Sequence, residues 1–131
     1  MIVQYFERAR LEFHPELAGT RYTVLLGLLG VDLGYSTPPT TTVAPTSTAE
    51  LTWYFPPTGH LIGKPFRSFW KSRGGLDIFG LPIGEPVIEH GLLTQYFERA
   101  RFELHPELAG TPYEVQFGHL GVMALESAGK R

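Results

Sequence analysis

Residues 95–111 read Gln95-Tyr96-Phe97-Glu98-Arg99-Ala100-Arg101-Phe102-Glu103-Leu104-His105-Pro106-Glu107-Leu108-Ala109-Gly110-Thr111. Residues 4–20 repeat them with Leu11 and Phe13 in place of Phe102 and Leu104. The offset is 91 residues throughout, and 20 of the 27 positions from Gln4 to Gly30 recur between Gln95 and Gly121. Repetition of this kind dictates architecture, so whether the stretch is helix or strand decides the fold. Glu, Arg, Ala and Leu favour helix, and Leu93, Phe97, Ala100, Leu104 and Leu108 fall near helical spacing. A hairpin of 92–97 and 101–105 around Glu98-Arg99-Ala100 lacks the Gly or Asn that tight turns favour. The exchange between the copies decides for the hairpin. Positions two apart share one face of a strand, so Leu11/Phe13 against Phe102/Leu104 conserves volume in one pocket. On a helix the same exchange moves bulk by about 200°. His-Pro then ends the strand, because a residue before proline avoids α. The hairpin turns Leu and Phe inward and puts Arg101, Glu103 and His105 together on the opposite face.

Around this motif the chain divides into four parts. Residues 1–34 read as the C-terminal half of a repeat unit, closing with Tyr22, Val24 and Leu26 in strand-like alternation. Gly27 and Gly30, at about 1 kcal/mol each inside a helix, point to a strand ending in a turn. Residues 35–52 form a Pro/Thr/Ser linker of the kind found between surface modules. Residues 53–122 are the complete unit. It opens on the aromatic cluster Trp53-Tyr54-Phe55 and continues into a helix ending at Arg73, with Pro65 in its first turn. Phe66, Phe69 and Trp70 form its core face, and Gly74-Gly75 stops it. Gly75 to Pro86 reads as a compact loop pinned by Leu76, Phe79, Leu81 and Ile83. Residues 123–131 are a polar tail, frayed or briefly helical. The expected fold class is α+β, a small unit of β-hairpins with one short helix and a Gly/Pro-rich loop, preceded by a half-unit.

Composition excludes more than it selects. The formal charge is -2 and cysteine is absent, so there is no disulfide framework, no thiolate zinc site and no electrostatic case for nucleic acid. No apolar run reaches the roughly 18 residues a membrane span needs. The first residues show no signal peptide, and the motif beginning so near Met1 suggests a segment of a longer chain.

Glu103, His105 and Glu107, with Glu12, His14 and Glu16, could be taken for metal ligands. A metal site needs convergent ligands, however, and Arg101 on the same face opposes a cation. The pattern reads as an Arg–Glu–His ladder on a solvated strand face. Paired carboxylates among Glu85, Glu89, Glu98 and Glu103 are the one hydrolase-like option. No motif sets them in a cleft, and no nucleophile elbow or phosphate loop is present. The residues suited to binding are Tyr5, Arg8 and Arg10 with their repeats Tyr96, Arg99 and Arg101. Arginine pairs bidentately with carboxylate or phosphate, and tyrosine offers an amphipathic face. The competing use of the same arginines is an internal network with Glu7, Glu12, Glu98 and Glu103.

In the complete unit, Thr58-Gly59-His60, Phe69-Trp70, Gly74-Gly75-Leu76, Phe79-Gly80-Leu81-Pro82-Ile83-Gly84-Glu85 and Gln95-Tyr96-Phe97-Glu98 follow one another. This order resembles the LGFP repeat of bacterial cell-surface proteins. It also resembles a related Gln-Tyr-Phe-Glu-Arg-Ala-Arg repeat of filamentous thermophilic bacteria. The match spans residues 58–121 and its tail recurs at 3–30. At Arg99-Ala100 the chain departs from the family's glycine-rich turn. The resemblance implies a non-catalytic module, without cofactor, in a secreted or envelope-associated protein that binds cell-wall or extracellular polysaccharide. Two alternatives stand beside it. One is an assembly module that dimerises by exchanging hairpins, and the other is a fragment of a small hydrolase.

Overall fold

The repeated stretch is a hairpin both times it occurs. The computed structural model describes residues 2–39 and 52–129. The first copy is a three-stranded antiparallel sheet of β1 (Ile2–Tyr5), β2 (Arg10–Phe13) and β3 (Val24–Leu26). The second is β7 (Leu92–Tyr96), β8 (Arg101–Leu104) and β9 (Val115–Phe117) in the same register, with β6 (Val87–Glu89) added outside β7. Leu11 faces Leu26 as Phe102 faces Phe117, and Phe13 faces Val24 as Leu104 faces Val115. The fold is α+β.

The turn succeeds without Gly or Asn because its surroundings hold it. Phe97 N–H donates to Ala100 at 2.8 Å, Glu98 N–H to Leu81 at 3.0 Å and Arg99 N–H to Phe79 at 3.0 Å. Phe97 and Ala100 are themselves buried. Satisfied backbone groups and buried apolar ends replace local turn propensity.

Between the linker and the second hairpin lies the helical half of the complete unit. A small ribbon of β4 (Tyr54–Phe55) and β5 (His60–Leu61) leads into α2 (Lys64–Arg73), with Pro65 in its first turn and Gly74 as its stop. Phe66 and Trp70 face inward as their spacing requires, and Trp70 Nε1–H donates to Gly80 O at 3.1 Å. The stretch read as a loop starts instead as a second helix, α3 (Gly75–Phe79). Only Phe79 of its apolar residues is buried, while Leu76 and Ile78 are exposed. Ile83, further on, reaches a second core. The helix forms because Gly74, at φ +139°, reverses the chain and lets a new helical turn begin at once.

The first core is an aromatic cluster in which Phe66, Phe69, Phe79, Phe97 and Phe117 pack around fully buried Phe102. The second core joins the two copies. Here α1 (Leu29–Asp32) follows β3 and α4 (Leu120–Gly129) follows β9, and Leu29 and Leu120 are both fully buried with Tyr96, Ile83 and Ala124. Three boundaries therefore change. The turn expected after Leu26 contains helix α1, residues 123–129 of the tail continue α4, and Tyr35 and Thr37 of the linker pack on the complete unit. The rest of the linker, residues 40–51, lies outside the described residues. Among the described residues no helix is long and apolar enough to cross a membrane.

Candidate functional site at the repeat interface

The two hairpins meet through reciprocal contacts. Arg8 donates from Nη1 to the carbonyl of Phe117, and Arg99, its repeat, donates from Nη1 to the carbonyl of Leu26, the repeat of Phe117. The Gly30 N–H donates to Glu98 O at 3.0 Å and the Val122 N–H to Glu7 O at 3.0 Å. A Cβ on Gly30 would run into the Phe97 carbonyl, and one on Gly121 into the Phe6 carbonyl. The arginine and glycine relations are each the other moved by 91 positions, and the backbone bonds differ by one position, Val122 donating where Gly121 would match Gly30, so the copies are related by an approximate twofold axis. This is the geometry of an isologous dimer within one chain. The repeated glycines let one copy's helix start touch the other copy's turn.

The six residues suited to binding separate into two groups. Arg10 pairs with Glu12 at 2.8 Å and Asp32 at 3.0 Å, and its guanidinium lies 6.0 Å from the Tyr5 ring. Arg101 lies 3.2 Å from Glu103 and 3.8 Å from Glu89, and 5.5 Å from the Tyr96 ring. Tyr96 is buried, stacks on Tyr35 and donates from its hydroxyl to Glu89 Oε1 at 2.7 Å. Burial first, and that hydrogen bond second, raise its pKa well above the ordinary tyrosine value, against a smaller opposing effect of Arg101. These four residues belong to the internal network. The ladder completes it, with His14 3.2 Å from Glu12 and His105 3.4 Å from Glu103. Its strand face is less solvated than the sequence suggests, since Glu12 and Arg101 are both buried. Glu98 is not in the network. It accepts the Leu81 N–H at 2.8 Å.

Arg8 and Arg99 form the second group and come together at a cleft of about 330 Å³ beside the twofold axis. Phe69, Phe79 and Phe117 line it, and Arg73 closes one side with its guanidinium 5.3 Å from the Phe69 ring. Among the described residues none of Arg8, Arg73 and Arg99 forms an ion pair. The Phe117 and Leu26 carbonyls engage one donor each of Arg8 and Arg99, and a guanidinium carries five. The cleft is therefore cationic at its rim and aromatic at its floor. Arg73 was missing from the sequence-derived set, although its spacing of four from Phe69 puts the two on one helix face.

Compared with protein-family models, curated proteins and solved structures, the chain matches none.

Proposed function

We propose that the chain is a non-catalytic module of an envelope-associated or secreted bacterial protein that binds an acidic cell-wall or extracellular polysaccharide. The observation that carries this is the trio Arg8, Arg73 and Arg99, three guanidiniums that have no carboxylate partner among the described residues, around an aromatic floor. Uronate-type carboxylates suit the arginine fork, and the apolar face of a sugar ring suits phenylalanine. The LGFP-like order of residues 58–121 supports the envelope setting. The test is retention of the folded chain on polygalacturonate, peptidoglycan and a neutral glucan, with and without salt. We expect binding to the acidic polymers that weakens as salt screens it. Replacing the exposed Arg73 by Gln removes one charge-assisted contact, so affinity should fall about tenfold with the melting temperature unchanged. Folded protein that binds none of these polymers would sink the reading.

The reciprocal Arg8/Arg99 contacts favour a second reading, self-association. The groups that hold the first hairpin on its own unit are equally available to the hairpin of another chain. Concentration-dependent doubling of mass in light scattering is the expected sign, and a strict monomer excludes it.

A further inference from the structure

The two copies of the motif are nearly identical in sequence and opposite in environment. In the second copy Phe97 and Val115 are 0% and 8% exposed, whereas their repeats Phe6 and Val24 are 48% and 53% exposed. Gln95 is buried, and its amide accepts the Gly63 N–H at 2.9 Å and donates to Leu61 O at 2.8 Å and Gly84 O at 2.9 Å. Gln4, its repeat, is exposed and makes no side-chain hydrogen bond among the described residues. The outer edge of β7 is paired with β6, while among the described residues the matching edge of β1 pairs with no strand and carries exposed Ile2 and Val3. Tyr96 donates to Glu89 of β6, whereas among the described residues the Tyr5 hydroxyl has no carboxylate partner. All four differences trace to one segment. Among the described residues the first copy has no counterpart of residues 53–89, and only the rim of its inner face meets α3.

We propose that the inner face and open edge of the first hairpin are a docking site for the helical half of another repeat, a segment with the chemistry of residues 53–89. The face is already continuous with such an interface. A groove of about 370 Å³ separates Leu11, Val24 and Leu26 from Ile78 of α3, and Arg21 ties its rim to Asp77 at 2.5 Å. The docking segment inserts its Phe66 and Trp70 equivalents over Leu11 and Phe13, adds its β6 equivalent to β1, and accepts the Gln4 amide as residues 61–84 accept that of Gln95. An exposed strand edge and an uncovered apolar face favour such pairing over solvent.

The test fuses a second copy of residues 52–91 directly before Met1 of the full chain, which restores the 91-residue register. Hydrogen exchange of the Ile2–Tyr5 amides should slow at least tenfold and the melting temperature should rise. Gln4→Leu is the control. It should leave the unfused chain unchanged and remove the protection gained by the fusion, because only the docked segment uses that amide. Unchanged exchange in β1 overturns the proposal, as does an added segment that displaces residues 53–89 from the second hairpin. An unfused chain that dimerises with β1 protected also overturns it, by assigning the face to a second copy.

Discussion

Tyr96 stacks on Tyr35 with ring centroids 4.0 Å apart and lies within reach of both Glu89 and Arg101. Its hydroxyl is one partner in a partly buried charge network, which makes its proton a stability element. The folded state holds that proton more tightly than the unfolded chain, whose tyrosine titrates near 10.0. The contribution to stability is therefore intact below that pH and is lost as pH rises toward the higher folded-state value. Tyr96→Phe should cost about 1 kcal/mol at neutral pH, the usual worth of one hydrogen bond. It should also flatten the alkaline limb of stability against pH, measured by urea unfolding between neutral pH and pH 11. A limb equally steep in the variant would place the titrating group elsewhere. That Tyr96 was a plausible ligand contact in the sequence and is a buried stack in the fold has one cause. Its partner, Tyr35, sits in a stretch whose composition gave no sign of packing.

Among the elements, the second hairpin is clamped to its helical half and the first is not. Beside the aromatic core, Gln95 ties β7 to that half with one side chain, reaching Gly63, Leu61 and Gly84. Gln95→Leu leaves the half-buried Gly63 N–H and Leu61 carbonyl and the buried Gly84 carbonyl without this partner, at about 1–3 kcal/mol for each group truly stranded. We expect a loss of about 3 kcal/mol in chemical unfolding. Gln4→Leu, the same substitution in the other copy, should stay within about 0.5 kcal/mol, as is usual for an exposed site. Equal losses would mean the hairpins are supported alike. The Leu11/Phe13 exchange belongs here too. It identified the inner face correctly, because periodicity along a strand is local. It implied a closed pocket in both copies, and Phe13 is 40% exposed. Closure depends on a covering segment that no strand can specify from its own residues. The same limit hid α3, whose five residues are too short for helical periodicity to register.

Over the whole molecule, the approximate twofold is maintained by contact rather than by any element alone. Gly30 and Gly121 are its tightest points, each lying under a carbonyl of the opposite hairpin turn. Alanine at either site forces the copies apart, and overpacking of this kind costs about 1–3 kcal/mol. Gly30→Ala and Gly121→Ala should each lower the free energy of unfolding, measured by denaturant titration, by that amount. The two losses should be less than additive together, since the first substitution has already opened the shared interface. Fully additive losses would show two independent sites.

The residues alone determined that the motif is a hairpin, that its inner face is apolar, and that Arg, Glu and His form a ladder on the other. Alternation, a proline stop and a compensating exchange are local signals, and they act over a few positions. Tertiary structure decided which arginines remain for a ligand. Arg10 and Arg101 meet carboxylates two positions away in their own strands, so they are consumed within each hairpin. Arg8 and Arg99 sit in the turns, and among the described residues their side chains donate to carbonyls of the other copy. Their availability depends on packing between residues 73 and 109 positions apart, and no pattern read along the chain contains such distances.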